Sequence, residues 1–383
     1  MSARLAIVTN ADWYFWSHRL PIARAARARG HEVFVIANEE RGFGGRIREA
    51  GFEFLPIPVA RGSMSLARDV ETLSALRAVY RRVRPSLVHH VAVKPVIYGA
   101  IAARIERVPA IINALAGQGH LTGAPGFRGI VLRGAVSLAY RAAYGGKQTR
   151  AIFQNPDDLE FFVRRGVVAR ERTVLIRGSG VDLDAFAPTP EPMGVPVVVF
   201  ASRLLRAKGI VELVEACDQL RARGVAFTLR IVGEPDVENP DAVPESLLRA
   251  WAAAGRAEWL GRRDDMPAVL AAANVVALPS NYGEGVPKIL IEAAACARAI
   301  VTTDSPGCRE IVRDGVNGRL VARGDIGALA ASLGELLTDA ALRARCGAAG
   351  REIAAAEFGE KLVVERTMAL YDRMLFDSPR DRQ

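Results

Sequence analysis

Two glutamates near the end of a predicted strand have a spacing that suits a long anionic ligand. Glu284 and Glu292 follow the apolar run 274–278, which is typical of a buried strand. We expect a helix to open near Val286, which at ~1.5 Å and ~100° per residue places Glu292 ~12 Å beyond Glu284 and ~80° around the axis. Beside a helix N-terminus, these carboxylates would suit a ligand with a phosphate in its middle, such as a nucleotide sugar. Two solvated glutamates on a surface helix are the alternative.

Two cations occupy a matching place in the same half of the chain. Arg203 and Lys208 follow the predicted strand 197–201, and an arginine fork with a lysine ammonium can grip a diphosphate from two sides. The chain has only five lysines against 46 arginines, so a lysine here favours a site that needs a compact ammonium. A basic loop on a basic protein is the alternative.

Together these four side chains suit the departure of a nucleoside diphosphate from a sugar's anomeric carbon. Negative charge builds on the leaving phosphate, and preorganised donors stabilise it by ~3–4 kcal/mol each. Because the cations supply this stabilisation, we expect no metal ion and no other cofactor.

Strand-like and helix-like segments alternate along all 383 residues, which predicts an α/β fold with parallel sheets. The predicted strands are 5–9, 32–37, 52–58, 87–91, 110–115, 150–154, 173–176, 197–201, 227–232, 258–260, 274–278 and 299–303. The predicted helices are 17–29, 66–84, 95–107, 156–165, 208–223 and 358–375. Glycines and prolines between 178 and 196 indicate a linker, so we expect two doubly wound domains with a ligand in the cleft between them.

Composition restricts the class of protein further. No apolar run reaches the length of a membrane span, and the N-terminus is too short and too lightly flanked for a signal peptide, so we expect a cytoplasmic protein. The four cysteines have no paired spacing and are expected to be buried free thiols. The histidines lack a metal-like spacing, which agrees with the expected absence of a metal.

The positive charge is concentrated in the first half of the chain. Residues 1–187 contain 27 Lys/Arg and 15 Asp/Glu, the rest 24 and 27, and the segment 107–156 has no acid. Within that segment, 127–144 mixes apolar residues with arginines, which indicates either an amphipathic helix packed on its own domain or a surface for an anionic membrane. We expect no nucleic-acid partner, because no recognised binding motif is present.

Several motifs resemble those of the GT-B glycosyltransferases of the retaining family 4. They are Arg203-Leu204 with Lys208-Gly209, Ile231-Val232-Gly233, Leu260-Gly261, Glu284 to Glu292, 306–310 and 314–318. The resemblance implies two Rossmann-like domains facing across a cleft. The acceptor domain would span 1–187, the nucleotide-sugar domain 188–357, and a C-terminal helix in 358–383 would pack back on the first domain.

The same resemblance implies roles by position. Arg203 and Lys208 would bind the donor diphosphate, Glu284 the donor sugar, and together they form the predicted catalytic group. Glu292 would bind the ribose hydroxyls, and the sugar would leave by front-side attack with retention of configuration. Further donor-binding positions are Gly233, Gly261, Arg262, Gly285, Val286, Pro287, Lys288 and, in place of the family's usual glycine pair, Ser17 and His18.

The segments 88–95 and 113–119 resemble a subgroup that adds sugars to polyprenyl-diphosphate carriers during surface-glycan assembly. It implies transfer of a hexose or N-acetylhexosamine, from a UDP-sugar, to a lipid-linked or saccharide acceptor at the cytoplasmic face of the inner membrane. Acceptor candidates are Lys94, His90, His120 and Asn113.

Three alternatives stay open on the sequence alone. A nucleotide-sugar 2-epimerase shares this fold but would convert its donor without an acceptor. A transferase with a soluble acceptor would not need the basic apolar segment, and a two-domain binding protein would need export. The sequence does not give the oligomeric state.

Overall fold

The computed structural model describes residues 2–59, 65–115, 127–236 and 239–376, and all of their side chains except those of 127–133 and 135. The contacts within it divide the chain into two compact units. One comprises the residues up to Ser179 together with those from Lys361 onward, and the other is Gly180–Glu360. The limit predicted at 187/188 lies eight residues after the observed one, and the limit predicted at 357/358 lies three residues before it.

The first unit is built on a seven-stranded sheet whose ladders are all parallel. Its strands are β1 Arg4–Val8, β2 Glu32–Ala37, β3 Glu53–Pro56, β4 Leu87–Val91, β5 Ala110–Leu115, β6 Thr149–Phe153 and β7 Thr173–Leu175. Its α-helices are α1 Asp12–His18, α2 Leu20–Ala28, α3 Phe43–Glu49, α4 Leu66–Val83, α5 Ala100–Ile105, α6 Phe127–Tyr144 and α7 Pro156–Arg164, with a π-helical turn at Pro95–Gly99. The strand order is β3-β2-β1-β4-β5-β6-β7.

This order reverses beside β1, which pairs with β2 on one side and with β4 on the other. The loops after β1 and β4 therefore lie at the topological switch point, where ligands bind to sheets of this class. Every residue of β4 is buried, as expected for a parallel sheet that is covered on both faces.

The second unit repeats the architecture with six parallel strands. They are β8 Val197–Ala201, β9 Thr228–Val232, β10 Glu258–Trp259, β11 Val275–Leu278, β12 Ala299–Thr303 and β13 Gly318–Val321. The helices are α8 Ile210–Ala222, α9 Glu245–Ala253, α10 Met266–Ala271, α11 Lys288–Ala295, α12 Cys308–Ile311, α13 Ile326–Thr338 and α14 Ala340–Glu357, followed by α15 Glu360–Phe376. The order β10-β9-β8-β11-β12-β13 sets β8 beside β11.

One predicted helix, 17–29, is wrong in its bounds. The structure has two helices here, α1 and α2, which meet at Arg19. Pro21 lacks the N–H that would continue the hydrogen-bond ladder, which favours an interruption at this point. α1 begins earlier because the buried Asp12 carboxylate accepts hydrogen bonds from the backbone N–H groups of Trp13 and Phe43, both at 2.8 Å.

The C-terminal helix α15 belongs to the first unit. Its buried Tyr371 hydroxyl lies 2.7 Å from Nδ1 of His89 on β4, and their rings meet edge to face. Burial lowers the pKa of His89 well below its usual value, so the imidazole is neutral at physiological pH. The helix is therefore fixed to the sheet by a neutral buried hydrogen bond in addition to apolar packing.

A buried arginine holds the start of the second unit in place. The Arg298 guanidinium donates to the carbonyl of Leu270 at 2.9 Å and to the carbonyl of Thr189 at 3.0 Å. It also donates to the Thr189 hydroxyl at 2.7 Å. Since the side chain is only 1% exposed, these oxygens replace water as the partners of its charge.

All four cysteines are free and buried, which confirms the prediction of buried thiols. Burial raises the pKa of Cys217 to about 12 and those of Cys296 and Cys308 to about 11. Burial also raises the pKa of Cys346. The thiolate is therefore suppressed at neutral pH in each of them.

Candidate active site

The centre of the site is an ion pair between Lys208 and Glu284, which come from two loops at the carboxyl edge of the second sheet. The Lys208 ammonium contacts the Glu284 carboxylate directly, and Ser280 Oγ donates to the same carboxylate oxygen at 2.7 Å. Both charged side chains are buried. Burying two charges is favourable only where the pair is well matched and supported by further hydrogen bonds, and Ser280 supplies one here.

Glycine allows the two loops to approach. Gly209 has φ 77°, and a Cβ at this position would lie 1.9 Å from the carbonyl oxygen of Pro279. At Gly307 an added Cβ would lie 1.3 Å from the carbonyl oxygen of Gly285. Backbone therefore packs on backbone on both sides of the Glu284 loop, and larger residues would displace it.

The predicted geometry of the two glutamates is wrong. α11 begins at Lys288 with Pro287 as its N-cap, two residues after the predicted start, and Glu284 lies in the preceding loop. The two carboxylates are therefore not arranged along one helix. Of the predicted loop residues, Gly285, Val286 and Pro287 connect Glu284 to the helix N-terminus.

Glu292 lies on α11 and is buried. Its carboxylate is 3.4 Å from the Lys288 ammonium, one helical turn earlier. Burial raises the pKa of Glu292, and the charge of Lys288 opposes this rise. A carboxylate in this condition is a strong acceptor for hydroxyl groups that replace its lost hydration.

Arg203 reaches the same edge but is half exposed. Its guanidinium pairs with Asp236, at 3.1 Å, in the loop after β9. Beside this loop, Gly233 donates its N–H to the carbonyl of Gly261 at 2.8 Å. A Cβ on Gly233, which has φ 135°, would lie 2.0 Å from the Ser202 carbonyl oxygen.

The loop that contains Gly261 also carries Arg262, whose guanidinium pairs with Asp264 at 3.0 Å. The structure thus gathers three groups of predicted residues at the carboxyl edge: Lys208 with Glu284, Lys288 with Glu292, and Gly233 with Gly261. The two ion pairs are direct contacts, and the glycines bring the loops after β9 and β10 together.

Sequence reasoning missed two side chains that contact the central pair. Ser280 binds Glu284, and the ring of Tyr282 covers the Lys208 ammonium at 5.1 Å from the ring centroid. Both residues lie inside the segment that was recognised from its glutamates. Their position between a strand end and Glu284 was the available signal.

The predicted donor contacts of the first unit lie at the end of α1. Ser17 Oγ donates to the carbonyl of Trp13 at 2.9 Å and lies 2.6 Å from Nδ1 of His18. The imidazole of His18 stacks on Tyr14 with centroids 4.3 Å apart. Their role toward a donor stays a prediction.

The acceptor candidates are engaged inside the first unit. Both nitrogens of the buried His90 ring have partners: Tyr80 OH at 2.8 Å and Asn113 Oδ1 at 2.7 Å. Burial lowers the pKa of His90 to about 4. Asn113 also donates to the carbonyl of Ala143 at 2.9 Å, and Lys94 pairs with Asp69 at 2.7 Å.

His120 lies outside the described residues. The acceptor role of all four candidates stays a prediction. Within the described part of the chain, no helix combines the length and apolar character needed to cross a bilayer.

Family comparison agrees with this geometry. Residues 4–154 match the family described as Glycosyl transferase 4-like, and residues 195–339 match the one described as Glycosyl transferases group 1. These two matches together cover most of both units, and the chain belongs to the glycosyltransferases that the two families describe.

Similar sequences extend over almost the whole chain. One is the N,N'-diacetylbacillosaminyl-diphospho-undecaprenol alpha-1,3-N-acetylgalactosaminyltransferase of Campylobacter jejuni, 25% identical over 97% of this chain and 99% of that protein. Another is the capsular polysaccharide biosynthesis glycosyltransferase CapM of Staphylococcus aureus, 22% identical over 94% of this chain and 96% of that protein.

Solved structures show the same fold. Sucrose-phosphate synthase from Thermosynechococcus elongatus matches with a TM-score of 0.80 and 20% identity, over 98% of this chain and 100% of that one. Anabaena Alr3699/HepE in complex with UDP and glucose matches with a TM-score of 0.76 and 20% identity, over 97% and 100%. The two parallel-sheet units therefore have the GT-B fold, as predicted.

Proposed function

We propose that this chain is a retaining glycosyltransferase that moves a hexose or N-acetylhexosamine from a UDP-sugar to a polyprenyl-diphosphate-linked acceptor. The observation that carries the proposal is the buried Lys208–Glu284 pair at the carboxyl edge of the second sheet. In a member of a glycosyltransferase family, such a pair combines a cation for the leaving phosphate with a carboxylate for the sugar.

The donor diphosphate binds between Lys208 and Arg203. As the bond from the anomeric carbon to the diphosphate oxygen breaks, negative charge accumulates on that oxygen, and the two cations neutralise it. This charge compensation comes from side chains, so we propose that transfer proceeds without a metal ion. The Glu292 carboxylate accepts hydrogen bonds from the ribose hydroxyls.

Glu284 stabilises the sugar instead of attacking it. Its carboxylate already binds an ammonium and a hydroxyl, which reduces its nucleophilicity. The acceptor hydroxyl therefore attacks the anomeric carbon from the side that the diphosphate leaves. Its oxygen forms the new bond, its proton passes to the leaving phosphate, and the anomeric configuration is retained.

The acceptor is proposed from the relatives and from the charge of the first unit. The relative from Campylobacter jejuni is named for an undecaprenol-diphosphate acceptor, and the relative from Staphylococcus aureus for capsular polysaccharide. A carrier of that kind is anchored in a membrane. The excess of Lys/Arg in residues 1–187 supports contact with an anionic cytoplasmic surface.

A transfer assay tests the proposal. The purified chain is incubated with UDP-, GDP- and ADP-sugars and a short polyprenyl-diphosphate-linked saccharide, with and without EDTA, and the anomeric configuration of the product is read by NMR. We expect transfer from a UDP-sugar with retention, unaffected by EDTA, and loss of about 10²-fold or more in Lys208→Met.

Lys361→Met, on the exposed surface of α15, is the matched control and should transfer at the rate of the wild type. An inverted product would contradict the retaining mechanism. Conversion of the donor without any acceptor would instead favour an epimerase.

A further inference from the structure

The backbone of Tyr282 is held between Ser280 and Glu284, next to the Lys208 ammonium. Its backbone N–H donates to Ser280 Oγ at 3.2 Å, and its carbonyl accepts from the N–H of Glu284 at 3.0 Å. The ring centroid lies 5.1 Å from the ammonium of Lys208. Tyr282 is therefore built into the turn that joins Ser280 to Glu284.

The electrostatic surroundings of Tyr282 keep its ring suitable for a cation. Burial raises the pKa of Tyr282, while the charge of Arg203 lowers it and that of Glu284 raises it. The phenol is consequently neutral at physiological pH. A neutral tyrosine presents an electron-rich face, which attracts an ammonium within about 6 Å of its centroid.

Among the residues that the structure describes, the contacts of the Lys208 ammonium leave room for one more partner. An ammonium has three N–H donors. One is directed to the Glu284 carboxylate, and the ring of Tyr282 covers a second side. The Glu284 carboxylate and a phosphate would compete for the positive charge of Lys208, because both are anions. The neutral ring of Tyr282 holds the ammonium without competing in this way.

We propose that Tyr282 is a positioning residue for Lys208. The ring of Tyr282 keeps the Lys208 ammonium in place when the ammonium, which pairs with Glu284, binds the donor diphosphate. Lysine has a flexible four-carbon stem, so a second contact reduces the number of positions that the ammonium can adopt. The inference rests on the proposed function, because it assumes that Lys208 binds the donor diphosphate.

Two substitutions separate the ring from the hydroxyl. Tyr282→Phe keeps an aromatic face, and Tyr282→Leu removes it. With inorganic pyrophosphate as the probe in calorimetry, we expect Tyr282→Leu to bind about 2- to 30-fold more weakly than the wild type. Tyr282→Phe should restore most of the affinity.

Steady-state kinetics should show the same order, with the larger loss in kcat, because charge on the leaving phosphate is greatest in the transition state. Uridine, which lacks phosphate, should bind all variants equally, whereas a collapsed site would lose uridine as well.

Phe227→Leu is the matched control, since Phe227 is the ring over Arg221 at 4.9 Å, just before the amino end of β9. It should leave pyrophosphate affinity unchanged. If Lys208→Met weakens pyrophosphate binding but Tyr282→Leu does not, the positioning role is overturned and the proposed function stands. If Lys208→Met itself binds pyrophosphate like the wild type, the proposed function fails first.

Discussion

Removing both partners of the Lys208–Glu284 pair should cost less stability than the sum of the two single removals. Their side chains are only 11% and 9% exposed, so each single substitution leaves a buried charge without its counter-ion. Breaking a buried pair in this way costs about 3–5 kcal/mol. We therefore expect a loss of this size in the free energy of unfolding for both Lys208→Met and Glu284→Gln.

The double variant Lys208→Met/Glu284→Gln should lose clearly less than the sum, because the amide keeps the hydrogen bond from Ser280 and neither charge remains. We expect a coupling free energy of about 2–3 kcal/mol. Urea titration followed by fluorescence measures it, and the transition of the second unit is assigned by its shift in the single variants. Transfer activity should be lost in all three. Additive effects, with a coupling below about 0.5 kcal/mol, would refute the view that the two charges balance each other.

Three further substitutions test other contacts. Asp236→Asn removes the carboxylate that pairs with the half-exposed Arg203, so the KM for the donor should fall by about 1.5- to 5-fold, and a raised KM would contradict this. The pKa of Glu292 is higher in the native state than in the unfolded state, so the wild-type protein loses stability as the pH rises from the unfolded-state pKa to the native-state pKa. Glu292→Gln avoids this loss and should therefore unfold at a higher urea concentration than the wild type at pH 7. The difference should vanish below the unfolded pKa, while donor affinity falls at all pH values. Arg298→Met should lower the free energy of unfolding by about 3 kcal/mol or more, since it leaves several buried carbonyl groups without donors. A loss below about 1 kcal/mol would contradict the view that Arg298 holds the start of the second unit in place.

The sequence predicts β2, β4, β5, β8 and β12 with the bounds that the structure has. They are mainly apolar runs that parallel sheets bury on both faces, and turn residues mark their ends. The short strand β13 is not predicted, because Gly318 and Arg319 interrupt its apolar character and its pairing with β12 depends on the rest of the sheet. Its existence is a consequence of tertiary structure.

The candidate site also has a part that the sequence predicts and a part that depends on tertiary structure. The charged residues can be predicted, since Lys208 and Glu284 each follow a strand end in the sequence. Their contact cannot be predicted locally, because it requires β8 to lie beside β11, where Val198 pairs with Val275, 77 positions later in the sequence. Likewise, a pattern of residues does not show that Asp236 binds Arg203.

The four buried cysteines have a practical consequence for spectroscopy. A maleimide reacts with thiolates, and those of the native chain are suppressed by burial. An added cysteine at a fully accessible position, such as Met193→Cys at 99% exposure, would then be modified alone. Dye-labelled protein could be prepared without first replacing any native cysteine, and ligand binding could be followed by fluorescence on an otherwise unaltered sequence.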